Sequence, residues 1–131
     1  MALGTSTPLA NTRLDATTEQ CDNGYIRFYD GVRPATANVA VSSQVKLAEL
    51  RWAATAFTAA SGASAAANAI TPSTVIADGT CTWFRSLKAD GATVLFDGNV
   101  GTSGSDCNFN TVAFATGAAI SLTSVTLTQS L

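Results

Sequence analysis

Hydrophobic positions in this chain fall mainly in short runs separated by breaks rich in Gly, Asp and Ser, the pattern of half-buried strands joined by turns. The clearest pair of runs covers residues 80–87 and 92–96. Lys88-Ala89-Asp90-Gly91 joins them and predicts a hairpin, with Asp97-Gly98 expected to end its second strand. Tyr25-Ile26-Arg27-Phe28-Tyr29 is aromatic and β-branched and predicts a strand that stops at Asp30-Gly31. Residues 45–52 carry Val45 and Leu47 on one alternation and Ala48, Leu50 and Trp52 on the other. Lys46-Leu47-Ala48-Glu49-Leu50-Arg51 are also good helix formers, but β-like and turn-like neighbours on both sides favour a strand. Thr74-Val75-Ile76 reads as an edge strand, with Pro72 before it. Phe109, Val112 and Phe114 mark another strand, and residues 118–128 the last. There Ile120 and Leu122 share one parity and Val125 and Leu127 the other, which predicts a β-bulge at Thr123-Ser124.

Two stretches depart from this pattern. From Asn11 or Thr12 to about Cys21, a capping residue precedes Leu14, Ala16, Glu19 and Gln20, and Asp22-Asn23-Gly24 follows, which predicts one short helix closed by a glycine. Residues 53–69 turn to Ala, Ser, Thr and Gly with Phe57 the only large side chain, and they predict a long loop with flanking strand ends. The fold class is therefore all-β: a β-sandwich or jelly-roll-like barrel with one short N-terminal helix. Residues 1–10 are expected to form a flexible arm, and residues 11–131 a single β-sandwich domain.

Composition sharpens the picture through charge. Only 12% of the residues are charged while 47% are hydrophobic, so Thr, Ser, Ala and Asn must occupy much of the surface. A neutral exterior favours association, which suits a subunit of an assembly and points to a homo-oligomer. Seven basic residues, scattered, and a net charge of -2 exclude the basic stripe that nucleic-acid binding needs. Apolar stretches are broken well before the roughly 18 residues of a membrane span. The opening Met1-Ala2-Leu3-Gly4-Thr5-Ser6-Thr7-Pro8 lacks the basic start and apolar core of a signal peptide, so synthesis is expected in the cytoplasm. Three widely spaced cysteines, Cys21, Cys81 and Cys107, read as reduced, buried small hydrophobes. Histidine is absent, which removes most common zinc sites and the Ser-His-Asp and Cys-His nucleophiles.

The remaining candidate chemistry is weak. Four Asp-Gly pairs (at Asp30, Asp78, Asp90 and Asp97) lack the ligand density of a calcium loop and read as turns. Asp97 with Asp106, or Asp90 with Asp97, could be set against each other as glycosidase carboxylates, but nothing in the sequence fixes their separation. Gly101-Thr102-Ser103-Gly104-Ser105 lacks the Gly-Lys-Ser/Thr ending of a phosphate loop. Trp52, Trp83, Tyr25 and Tyr29 could form a sugar-stacking platform; Trp83 lies beside Phe84, so alternation sends one ring inward and the other outward, to a ligand or protein interface. No cofactor, metal or catalytic group is implied. The candidate interface residues are Arg27, Arg33, Arg51, Trp52, Trp83 and Arg85, since Arg and Trp are enriched where protein surfaces meet.

Arg13-Leu14-Asp15-Ala16 and the run Asp22-Asn23-Gly24-Tyr25-Ile26-Arg27-Phe28-Tyr29-Asp30-Gly31 with Arg33-Pro34-Ala35 resemble a recurrent opening of small virion proteins of tailed bacteriophages. The resemblance continues through Leu47-Ala48-Glu49-Leu50-Arg51, Thr82-Trp83-Phe84-Arg85, Asp90-Gly91, Phe96-Asp97-Gly98 and Val100-Gly101-Thr102-Ser103-Gly104. It implies a capsid decoration, or cement, protein with a jelly-roll-like barrel and no catalytic residues. On that reading the chain is made in the host cytoplasm, sits on the capsid surface of the virion and binds the major capsid protein or other virion subunits. Two other readings stay open at this stage: a tail or head-to-tail component, and a carbohydrate-binding or adhesin module.

Overall fold

A computed structural model describes residues 4–122 and 125–128. Among them no helix is long and apolar enough to cross a membrane. The architecture is β-rich with one helix, α1 (Thr7–Glu19). Ser6 caps it by accepting a hydrogen bond from the Leu9 N–H, Pro8 occupies its first turn, and Ala10, Leu14 and Thr18 form a buried stripe at a spacing of four. The helix therefore starts earlier than the apolar pattern predicted, and residues 7–10, expected in the arm, form its first turn. The sequence marker was Ser6 followed by Pro8, the combination that opens a helix. A tight bend then leads to the sheet through Asn23, at φ 57°, and Gly24, where a Cβ would lie 2.2 Å from the Leu87 carbonyl oxygen.

Five strands form the main sheet: β1 (Tyr25–Tyr29), β2 (Lys46–Arg51), β6 (Trp83–Leu87), β7 (Val94–Gly101) and β8 (Cys107–Asn108), in the order β2-β1-β6-β7-β8. All neighbours are antiparallel except β7 and β8, so the sheet is mixed. Residues 46–51 are a strand, as the flanking pattern indicated, and the hairpin β6–β7 forms across Lys88-Ala89-Asp90-Gly91. Asp97-Gly98 does not end β7, which runs on to Gly101. Gly98 lies against Phe84, whose ring would meet a Cβ there at 2.4 Å; the glycine serves a close approach inside the strand, not a turn. Where Phe28 opposes Ala48 and Tyr29 opposes Lys46, Leu47 is the extra residue of a bulge, which is why Leu47 and Ala48 are both buried despite opposite parity.

Three two-stranded ladders complete the fold: β3 (Ser64–Ala66) with β11 (Thr126–Thr128), β4 (Ser73–Thr74) with β10 (Ala119–Ile120), and β5 (Gly79–Thr80) with β9 (Ala113–Phe114). The stretch expected as a loop after Trp52 thus contributes β3, and the expected last strand is two separate strands, β10 and β11. The bulge expected at Thr123-Ser124 lies outside the described residues. Ile26, Phe28, Ala48, Leu50 and Phe84 of the sheet share one core with Ala65, Val75, Phe114, Ile120 and Val125 from or beside the ladders. Phe28 meets Phe109 and Phe114 edge-on at 5.4 and 6.4 Å, so its ring ties the sheet to β9.

Candidate interface face

Alternation along paired strands places Tyr25, Arg27 and Tyr29 of β1, Trp83 and Arg85 of β6, Glu49 and Arg51 of β2, and Asp97 of β7 on the side of the sheet away from Phe28 and Phe84. Register alone brings Arg27 opposite both Glu49 and Arg85, and Arg85 opposite Asp97. Arg27 Nε lies 2.6 Å from Glu49 Oε2, with Lys46 Nζ 3.6 Å from the same oxygen. Arg85 donates from Nε and Nη2 to the two oxygens of Asp97, at 2.7 and 2.8 Å, and from Nη2 to the Val39 carbonyl at 2.9 Å. Those side chains are only 4% and 6% exposed, so this is a buried bidentate pair. The hydrogen bonds to Asp97 hold the Arg85 guanidinium further above its ordinary pKa, against the opposing effect of desolvation.

Residues 30–45 cross this face as a strap. Asp30 accepts from the Val45 N–H at 2.7 Å, Gln44 donates to the Val32 carbonyl at 2.6 Å, and Thr82 donates to the Gly31 carbonyl at 2.6 Å. Under the strap, Trp83 stacks on Tyr29 with centroids 4.6 Å apart and donates its indole N–H to the Asp30 carbonyl at 3.0 Å. The strap is what buries the outer face of β6, every residue of which is buried. Trp83 and Phe84 are consequently both core, against the expectation that only one could be. Trp52 is buried as well, its Nε1 donating to Ser86 Oγ at 3.0 Å. The sugar-stacking platform of Trp52, Trp83, Tyr25 and Tyr29 is therefore not assembled, since both tryptophans are closed off from the surface.

Of the six residues singled out from sequence, Arg27, Arg51, Trp83 and Arg85 share one face, Arg33 lies on the strap, and Trp52 lies elsewhere in the core. Arg51 is exposed, sits over the Tyr25 ring at 4.6 Å and donates to the Asn23 carbonyl at 2.8 Å. Arg33 is exposed and forms no ion pair among the described residues. What sequence reasoning missed is the apolar dressing of the strap: Val32 is 82% exposed, with Val39 and Val45 about half exposed. It missed Asp97 too, because the strand was ended there and because a bulge at Leu95, which plain alternation does not give, is what sets Asp97 opposite Arg85.

The acids considered as paired carboxylates are used structurally. Asp97 is held by Arg85, Asp106 accepts from the Asn99 N–H at 2.8 Å, and Asp90 accepts from Thr93 and Ala92 in the hairpin turn. The thiols of Cys21, Cys81 and Cys107 are free and buried, and desolvation pushes them up to about 11, 12 and 12. Among the described residues no three His, Cys, Asp or Glu side chains converge. Comparison with family models, with curated proteins and with solved structures gave no match.

Proposed function

We propose that this chain is a structural subunit of a phage virion that binds and stabilises the capsid shell, as a cement or decoration protein, with the major capsid protein as its partner. The observation that carries the reading is the disposal of charge. Arg27, Lys46 and Arg85 are paired with carboxylates of the same chain, and the strap that closes over Arg85 presents Val32, Val39 and Val45 to solvent. Such a surface binds through apolar burial and hydrogen bonds, in many weak copies summed over a repeated shell. The stacking of a five-stranded sheet and three small ladders around one core supports a sandwich or jelly-roll-like barrel as the finer topology. The test is quantitative mass spectrometry of purified particles of the encoding phage. Copies of this chain comparable in number to the major capsid protein support a shell role, whereas about a dozen or fewer would place it at a portal or tail.

A further inference from the structure

Strand β7 is paired with β6 at Val94 and from Phe96 to Asn99, with Leu95 the extra residue of a bulge, but β8 covers only Val100 and Gly101 on the other side. The ladder geometry fixes which backbone groups are left over. The Val100 N–H bonds the Thr82 carbonyl directly opposite it, and the Lys88 N–H bonds the Thr93 carbonyl at the hairpin end. Hydrogen-bonded pairs alternate along an antiparallel ladder, so Gly98 and Phe96 point their N–H and C=O groups at β6. Asp97, opposite Arg85, and Val94, opposite Leu87, point theirs away. No described residue pairs with that outer edge from Val94 to Asp97, whereas the next outward N–H, that of Asn99, is taken by Asp106.

This edge carries only one of the usual protections, the bulge at Leu95. Exposed edges are normally blunted by lysine, proline or an unpaired charge; here the sequence is Val94-Leu95-Phe96-Asp97, and the one carboxylate is neutralised by Arg85. A groove opens on each side of it. On the strap side, about 380 Å³ is bounded by Arg33, Pro34, Thr36 and Leu95. On the core side, about 200 Å³ is bounded by Phe84, Phe96, Val125 and Leu127. Open main-chain groups with a groove on either face accept an added strand, whose alternate side chains enter the two grooves.

We propose that the outer edge of β7 is a docking site for an extended peptide segment of another protein, apolar on the alternation facing Phe84 and Phe96 and acidic on the alternation facing Arg33. Charge complementarity fixes the second feature: with Asp97 neutralised, Arg33 is the uncompensated charge of the strap-side groove. Strand addition at this edge needs no particular assembly, so it stands apart from the virion reading.

The probe is the capped hexapeptide Thr-Val-Asp-Val-Thr-Val, added to the isotope-labelled full chain while amide exchange is followed by NMR. At about 5 mM peptide, exchange at Val94 and Asp97 is expected to slow about tenfold, the protection given by a dissociation constant near 0.5 mM. The counterpart with Lys in place of Asp protects these amides at least threefold less, and Arg33→Ala removes that difference. A fully N-methylated peptide, which cannot donate to the edge, leaves exchange unchanged. Unaltered exchange with the parent peptide, equal protection by its N-methylated form, or protection confined to other strands would each overturn the assignment.

Discussion

Removing either member of the Arg85–Asp97 pair leaves its partner charged, buried and without compensation. Both side chains are at most 6% exposed, so solvent screening does little to soften the loss. Breaking a buried pair of this kind costs about 3–5 kcal/mol, a large part of the roughly 5–15 kcal/mol that holds a domain folded. Asp97→Leu would strand the guanidinium between the Trp83 ring, at 5.3 Å, and the Val39 carbonyl. Arg85→Met would strand the carboxylate and release the strap. The double variant, Arg85→Met with Asp97→Leu, fills similar volume without charge and is expected to lose less than about 2 kcal/mol. Urea unfolding at neutral pH measures all four proteins. With a slope of about 2 kcal/mol per molar, each single variant should unfold about 1.5–2.5 M earlier, and the double variant within about 1 M of the parent. A single variant that loses less than about 1 kcal/mol, or a double variant that equals the sum of the singles, would refute the reasoning.

Four further outcomes follow from other contacts. The buried thiols hold their protons more tightly folded than unfolded, so stability is full below their ordinary value of 9.0 and falls as pH rises from there toward about 12; a thiol reagent at pH 8 should label them only after denaturant is added, and rapid labelling of the native chain would contradict this. Asp90, held down to about 2 chiefly by the Thr93 hydroxyl and backbone, supports the hairpin above its ordinary value of 3.8 and loses that support as pH falls toward 2; Asp90→Ala should flatten the acid limb of a melting-temperature profile. Gly98→Ala drives a Cβ into the Phe84 ring and should cost about 1–3 kcal/mol by denaturant unfolding, where an unchanged midpoint would show that the ring moves freely. Removing residues 1–5 keeps the Ser6 cap and should leave the melting temperature nearly unchanged, whereas removing residues 1–11 deletes buried Ala10 and the Asn11 side chain that accepts from the Ala63 N–H at 2.8 Å, and should lower it by several degrees.

What could be read from the chain was set by period and turn chemistry. The hairpin around Asp90-Gly91 and strand β1 are short, alternating and bounded by glycine, so local pattern decides them. Residues 46–51 were legible as a strand only through their neighbours, because Lys, Leu, Ala, Glu and Arg prefer helix and pairing with β1 overrides that preference. The early start of α1 was written in Ser6 and Pro8, but the weak apolar stripe after them masked it. The burial of Trp83 and Arg85 was not legible. It depends on a loop without periodicity, residues 30–45, folding across the outer face of the sheet, and no local rule gives the path of such a segment. Grouping Arg27, Arg51 and Arg85 followed from side-chain type alone; that they share a face follows from strand register, as does the fate of Arg85 as a structural ion.

Rebinding of the purified chain to particles stripped of it, at about 50 mM and about 1 M sodium chloride, tests most directly the claim that this is a shell subunit with a neutral contact surface. The screening length falls from roughly 14 Å to 3 Å over that range, so a charge-driven contact weakens steeply while apolar burial persists. The account predicts saturable rebinding with an affinity that changes by less than about tenfold. No rebinding, or a loss of about a hundredfold, roughly 2.7 kcal/mol, would contradict it.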